Sequence, residues 1–74
     1  MSKQPVFTGK ELIKILLKYG FTVSRIKGSH HFLKHADGRC TSILVHSNET
    51  IGKGLLSKIL ADCELSTSQI TDAL

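Results

Sequence analysis

The stretch KGSHHFLKH, positions 27 to 35, gathers three of the chain's four histidines with two lysines, a glycine and a serine. Imidazole changes protonation near neutral pH, so such a cluster can bind a metal, move a proton, or do neither. Zinc needs about four ligands in tetrahedral array. His31 and His35 lie too far apart on an extended strand to share one, and neither Cys40 nor Cys63 has a ligand neighbour close in sequence. His46 is the one further imidazole that could reach across, so no metal centre is expected. Proton transfer fits RNA better. The 2′-hydroxyl of RNA attacks the adjacent phosphorus when a base removes its proton. A 2′,3′-cyclic phosphate forms as the 5′-oxygen leaves with a proton from an acid. A positioned acid or base contributes about 10²- to 10⁴-fold, and nearby cations stabilise the crowded negative charge. One histidine among lysines can therefore support a modest, metal-independent ribonuclease. Gly28 would permit close backbone approach and Ser29 could donate to a phosphate oxygen. A nucleic-acid grip without chemistry and a merely solvated strand are the blander readings.

These residues need a scaffold that presents them. Side chains alternate along a strand, so His30, Phe32 and Lys34 share one face while His31, Leu33 and His35 share the other. Leu33 is the natural core residue, which leaves His30, Phe32 and Lys34 on the open face; Phe32 pointing inward is the competing choice. TGKELIKILLKYG predicts a helix. Thr8 with Glu11 makes a capping box, Leu12, Ile13, Leu16 and Leu17 form an apolar stripe widened by Ile15 and Tyr19, and Gly20 ends it. Lys10, Lys14 and Lys18 form a basic ridge on its outer side. FTVSRIK reads as an alternating strand, and SHHFLKH and RCTSILV as two more flanking ADGR, where Asp37 and Gly38 can both take the positive φ of a tight hairpin turn. LLSKILADC returns to helical spacing with Leu55, Leu56, Ile59, Leu60 and Cys63 on one side. Ser66 and Gln69 offer a second capping box before a short last helix carrying Ile70, Ala73 and Leu74.

The expected architecture is α+β, a two-layer sandwich of α-β-β-β-α order. Helices cover one face of a three-stranded antiparallel sheet, as in double-stranded-RNA-binding domains. At 74 residues the chain is read as one domain, 1–74, with a core of about 8–65 and a helical tail of 66–74. A hydrophobic fraction of 41% argues against global disorder, and four aromatic residues make the core mainly aliphatic. The formal net charge is +4, and all ten Lys and Arg lie at or before Lys58, so an anion-facing surface belongs to the first three-quarters. Two cysteines without a CxxC are read as reduced thiols. No apolar leader and no membrane-length run occur, so a soluble, cytoplasmic protein is expected.

Three segments, in order, resemble the HicA-type (YcfA-like) mRNA interferase toxins of bacterial toxin–antitoxin pairs. SKQPVFTGKELIKILLKYGF is similar to the family's opening helix, GSHH to its Gly-Ser-His motif, and ILVHSNETIGKGLLSKIL to its third strand, histidine loop and second helix. Leu44 stands where the family often has proline and Leu55 where threonine is common. The resemblance implies a double-stranded-RNA-binding-like fold, a ribonuclease acting on mRNA, and a HicB antitoxin that covers the active site. It assigns catalysis to His30, with Gly28 and Ser29 as its neighbours and His46 as the histidine after the third strand; Ser29 and His46 are the possible secondary residues, His46 for the complementary proton transfer or for structural support. Lys27, Gly28, Ser29, Phe32 and Lys34, with Lys10, Lys14 and Lys18 on the helix, are the expected RNA contacts. No metal, small-molecule cofactor or membrane is expected. The alternatives are a non-catalytic RNA-binding module of the double-stranded-RNA type and a protein-interaction domain.

Overall fold

The computed structural model describes residues 6–73; the segment 1–5 and Leu74, expected on the last helix, lie outside them. Helix α1 spans Gly9–Lys18. Its first turn is closed by the capping box read from the sequence: Thr8 Oγ1 accepts from the Glu11 N–H at 3.2 Å, and Glu11 Oε1 accepts from the Thr8 N–H at 2.8 Å. Gly20, with φ of +92°, turns the chain out of the helix. The buried stripe is Leu12, Ile15 and Leu16, with Tyr19 beside it, rather than the arc expected through Leu17. Ile15 is 3% exposed and Leu17 is 46% exposed, because residues 12, 15, 16 and 19 lie on the tightest arc of a 3.6-residue turn.

Strands β1 (Phe21–Lys27), β2 (His30–His35) and β3 (Cys40–Leu44) form one antiparallel sheet in the order β1-β2-β3. The β1–β2 hairpin turns through Gly28 and Ser29. Positive φ at Gly28 and not at Ser29 is the pattern of a type II′ turn, which matches the twist of the flanking strands. The β2–β3 hairpin differs from the expected two-residue turn. Of its residues only Gly38 has positive φ, at +101°, and the Gly38 N–H bonds to the His35 carbonyl at 3.0 Å, so a three-residue loop with glycine at its end replaces it. Asp37 instead folds back on Arg39, accepting from its backbone N–H and from Nε.

Helix α2 (Lys53–Cys63) buries Leu56, Ile59, Leu60 and Cys63, while Leu55 is left 43% exposed. Helix α3 (Thr67–Asp72) starts at the second capping box, Ser66 with Gln69. The helices lie on one side of the sheet: α1 packs on β1 and β3, and α2 on β3. Phe21, Leu33, Thr41 and Ile43 face them and are buried. Phe7 and Ile51 complete the core, joined by a backbone bond from Ile51 N–H to the Phe7 carbonyl at 2.7 Å. Gly9 lets α1 come close to the end of β3, since a Cβ there would lie 2.7 Å from the Leu44 carbonyl oxygen. No helix among the described residues is long and apolar enough to cross a membrane. The result is the small α+β, double-stranded-RNA-binding-like fold read from the sequence.

Candidate active site on the open sheet face

Cross-strand partners in an antiparallel sheet point to the same side, so the register identifies which residues meet on the uncovered face. Lys27 pairs with His30 and His30 with Leu44; Arg25 pairs with Phe32 and Phe32 with Ser42; Lys34 pairs with Thr22 and with Cys40. Leu33 on β2 is 1% exposed, whereas His30 and Lys34 are exposed and Phe32 is half-buried. The strands bring Arg25, Lys27 and Lys34 to this face as cations, and among the described strand residues no carboxylate joins them; Asp62 of α2, paired with Lys58, lies at the margin of the groove beside Arg25 and Lys34. An anion meets net positive charge there.

The arrangement depends on a bulge in β1. Val23 pairs with Leu33 and Arg25 with Phe32, so Ser24 is an extra residue. Strict alternation from Phe21 would have aimed Arg25 and Lys27 at the helices. The bulge puts Phe21, Val23 and Ile26 on the helix side and sends both cations to the open side. The Ser24 hydroxyl donates to the Phe32 carbonyl at 3.1 Å and secures the bulge. Sequence analysis missed Arg25, yet the apolar spacing Phe21, Val23, Ile26 (two residues, then three) is the signal that could have found it.

Lys27, Gly28, Ser29, His30, Phe32 and Leu44 line an open groove of about 600 Å³. Gly28 owes its place to φ of +59°; a Cβ there would meet no atom within 4 Å. The Ser29 carbonyl accepts from the Val45 N–H at 2.8 Å, which fixes the turn against β3 and leaves the Ser29 hydroxyl without a protein partner among the described residues. The His30 and Phe32 rings lie 6.4 Å apart between centroids with 23° between their planes. No hydrogen bond among the described residues holds the His30 imidazole, so both ring nitrogens are open to a ligand.

The other expected residues fall elsewhere. His46 is exposed in the loop two residues beyond Leu44 and does not line the His30 groove. Lys10 and Lys14 lie in the helical layer, beside His31 and Val45. Lys18 Nζ donates to the Ala73 carbonyl at 2.8 Å, tying α1 to the end of α3. The remaining histidines of the cluster are built into the fold. His31 Nδ1 sits 3.4 Å from the Ser29 carbonyl. The His35 ring meets Phe21 edge-on at 5.0 Å, in space left by the missing Cβ of Gly20. His35 Nδ1 is 3.0 Å from Asp37 Oδ1 and 3.1 Å from the Asp37 N–H, so it donates to the carboxylate when protonated and accepts from the backbone when not. Among the described residues no group of three or more His, Cys, Asp or Glu side chains is placed to hold a metal ion.

Two titrations are displaced by this scaffold. The Arg39 backbone N–H holds the Asp37 carboxyl below its ordinary value; desolvation opposes it, and the Arg39 guanidinium and His35 add to the lowering. Burial pushes the Cys63 thiol up to about 11, helped by the nearby Asp62 charge. Arg39 does more than hold Asp37. Its Nη1 donates to the Cys63 carbonyl at 2.6 Å, capping the end of α2, and its guanidinium lies 5.2 Å over the Phe21 ring.

Compared with known proteins, residues 9–65 match the family model described as the HicA toxin of bacterial toxin–antitoxin systems. The matched span runs from the start of α1 to the residues just after α2, and so includes the whole sheet and its open face. No curated protein matches the chain.

Proposed function

This chain belongs to the HicA toxin family of bacterial toxin–antitoxin systems, and from that membership we propose that it is an endoribonuclease that cuts mRNA through His30. The observation that carries the reading is the position of His30: exposed, on the uncovered side of the sheet, in a groove with Lys27 and the Gly28–Ser29 turn. In the proposed reaction the His30 imidazole exchanges a proton with the reacting nucleotide. As a base it takes the 2′-hydroxyl proton while the O2′–P bond forms; as an acid it gives a proton to O5′ while the P–O5′ bond breaks. Lys27 and the Ser29 hydroxyl hold the phosphate, Lys34 extends the positive surface, and Gly28 keeps the turn open. Either role yields a 2′,3′-cyclic phosphate and a free 5′-hydroxyl.

His46 is the secondary candidate for the complementary proton or for structural support, because it is exposed two residues beyond Leu44, the β3 partner of His30. Lys10, Lys14 and Lys18 would serve only RNA that wraps from the sheet onto the helical layer, and Lys18 would first have to leave Ala73. The proposed partner is a HicB-type antitoxin that covers the groove and meets its cations with carboxylates, which speeds association. Mass analysis of product ends tests the chemistry. RNA ending in cyclic phosphate supports it, and loss of cutting when the 2′-oxygens are methylated supports it further. The non-catalytic RNA-binding alternative requires that RNA bind in a salt-dependent way and survive intact.

A further inference from the structure

A cationic groove accounts for a phosphate contact but not for the aromatic ring at its rim. Phe32 occupies the centre of the middle strand on the side the helices do not cover, and it is left half-buried there. The Arg25 guanidinium lies over it, with Cζ 4.8 Å from the ring centroid. The ring is also the ridge shared by two grooves. Gly28, His30 and Leu44 line one flank, and Arg25 and Lys34 line the other, where the Asp62 carboxylate is paired with Lys58 at 3.2 Å.

We propose that Phe32 is a stacking platform for one unpaired base, flanked by Arg25, and that the protein therefore selects single-stranded RNA over duplex. The inference rests on the ribonuclease reading of His30 and deepens it by naming the form of the substrate. Bases in a duplex are stacked on one another and present no face to a side chain, whereas bases in single strands, loops and ends do. Aromatic residues on an exposed sheet surface read single strands in this way, and the Arg25 guanidinium, which lies over the ring in the free protein, moves off it to stack on the incoming base. The two grooves supply paths for the flanking backbone, with Lys27 on one side of the stacked base and Arg25 and Lys34 on the other. The 6.4 Å between the Phe32 and His30 rings is within the reach of one nucleotide, so a base seated on Phe32 brings a ribose to the imidazole. The β1 bulge belongs to the same device, because it brings Arg25 opposite Phe32 instead of turning it toward the helices.

The chain contains no tryptophan, so Phe32→Trp introduces a sole indole whose emission reports stacking directly. The protein carrying Phe32→Trp and His30→Ala is titrated with a 2′-O-methyl oligoribonucleotide, then with the same sequence as a duplex. Quenching by the single strand at a concentration at least tenfold below that needed by the duplex is expected. In the active protein, Phe32→Ala should lower kcat/KM on single-stranded RNA by roughly ten- to a hundredfold, mainly through KM, with Phe32→Tyr restoring it. Circular dichroism confirms that each variant is folded. Equal quenching by the duplex, no quenching at all, or an unchanged KM in Phe32→Ala overturns the platform. The quenching arm judges Phe32 whether or not His30 is catalytic. Comparing cleavage by the parent and by His30→Ala judges the ribonuclease reading separately.

Discussion

Two glycines in the first turns of helices make opposite predictions about the same substitution. Alanine at either site gains up to about 1 kcal/mol from its better helix propensity. At Gly54 a Cβ meets nothing within 4 Å, so the gain is realised and Gly54→Ala should stabilise by about 0.5–1 kcal/mol. At Gly9 the Cβ would stand 2.7 Å from the Leu44 carbonyl oxygen and 3.1 Å from Val45 Cγ2. The nearer atom is backbone, and the Leu44 segment is held by its pairing with His30. Relief requires moving α1 away from the sheet, at about 1–3 kcal/mol for an overpacked contact. Set against the propensity gain, that leaves Gly9→Ala destabilised by up to about 2 kcal/mol. For a chain this small, m in urea is about 1 kcal/mol per molar, so the midpoint should fall by up to about 2 M in Gly9→Ala and rise by about 0.5–1 M in Gly54→Ala. Equilibrium urea unfolding followed by far-ultraviolet circular dichroism measures both. A Gly9→Ala midpoint at or above the parent's would refute the close packing of α1 on the end of β3.

The two thiols should separate cleanly. Cys40 is exposed and Cys63 is buried, so iodoacetamide at pH 8 should add one group to the native protein and two after unfolding, read by intact mass. Because the folded Cys63 pKa is raised from 9.0 to about 11, the neutral thiol is favoured by folding. Its contribution is therefore complete below about pH 9 and lost as pH rises toward 11, a decline that Cys63→Ala should lack. Asp37 has the opposite sign. Its folded pKa lies below 3.8, so it stabilises at pH above that value, and the contribution fades as pH falls through its folded pKa. The urea midpoint of Asp37→Asn should accordingly drop less between pH 5 and pH 2.5 than the parent's, and an identical drop would count against the Asp37–Arg39 contact.

Legibility in the sequence followed the distance over which each feature is encoded. Both capping boxes were readable because donor and acceptor lie three residues apart and no other part of the chain enters. That Leu33 and His30 take opposite faces was readable because a strand has a period of two, but each face of β2 carries one large apolar residue, and the packing of the helices on Leu33 rather than Phe32 decides between them. The side that Arg25 takes on β1 was not readable by that rule, since a bulge shifts the period by one and unbroken alternation cannot register it. The Leu17 and Leu55 positions went the same way. Each is apolar and adjacent to a buried residue, and only the docking angle of the helix decides which of two neighbours is covered. Arg39 gave no sequence signal at all. Its partner at Cys63 is 24 residues away and exists only once α2 has packed on the sheet. Lys18 joins Ala73 across 55 residues for the same reason. The groove around His30 was legible in Lys27 and in its turn and β2 residues, and hidden at Leu44, which reaches it only through the pairing of β3 with β2.

Single-turnover cleavage of a labelled RNA by the purified protein and by His30→Ala, with folding of both confirmed, is the decisive measurement. Loss of an essential proton-transfer group should slow cutting by at least about 10²-fold without reducing RNA binding to the same extent. Equal rates in the two proteins would contradict the account, because the exposed imidazole among the cations of the open sheet face would then have no part in the chemistry.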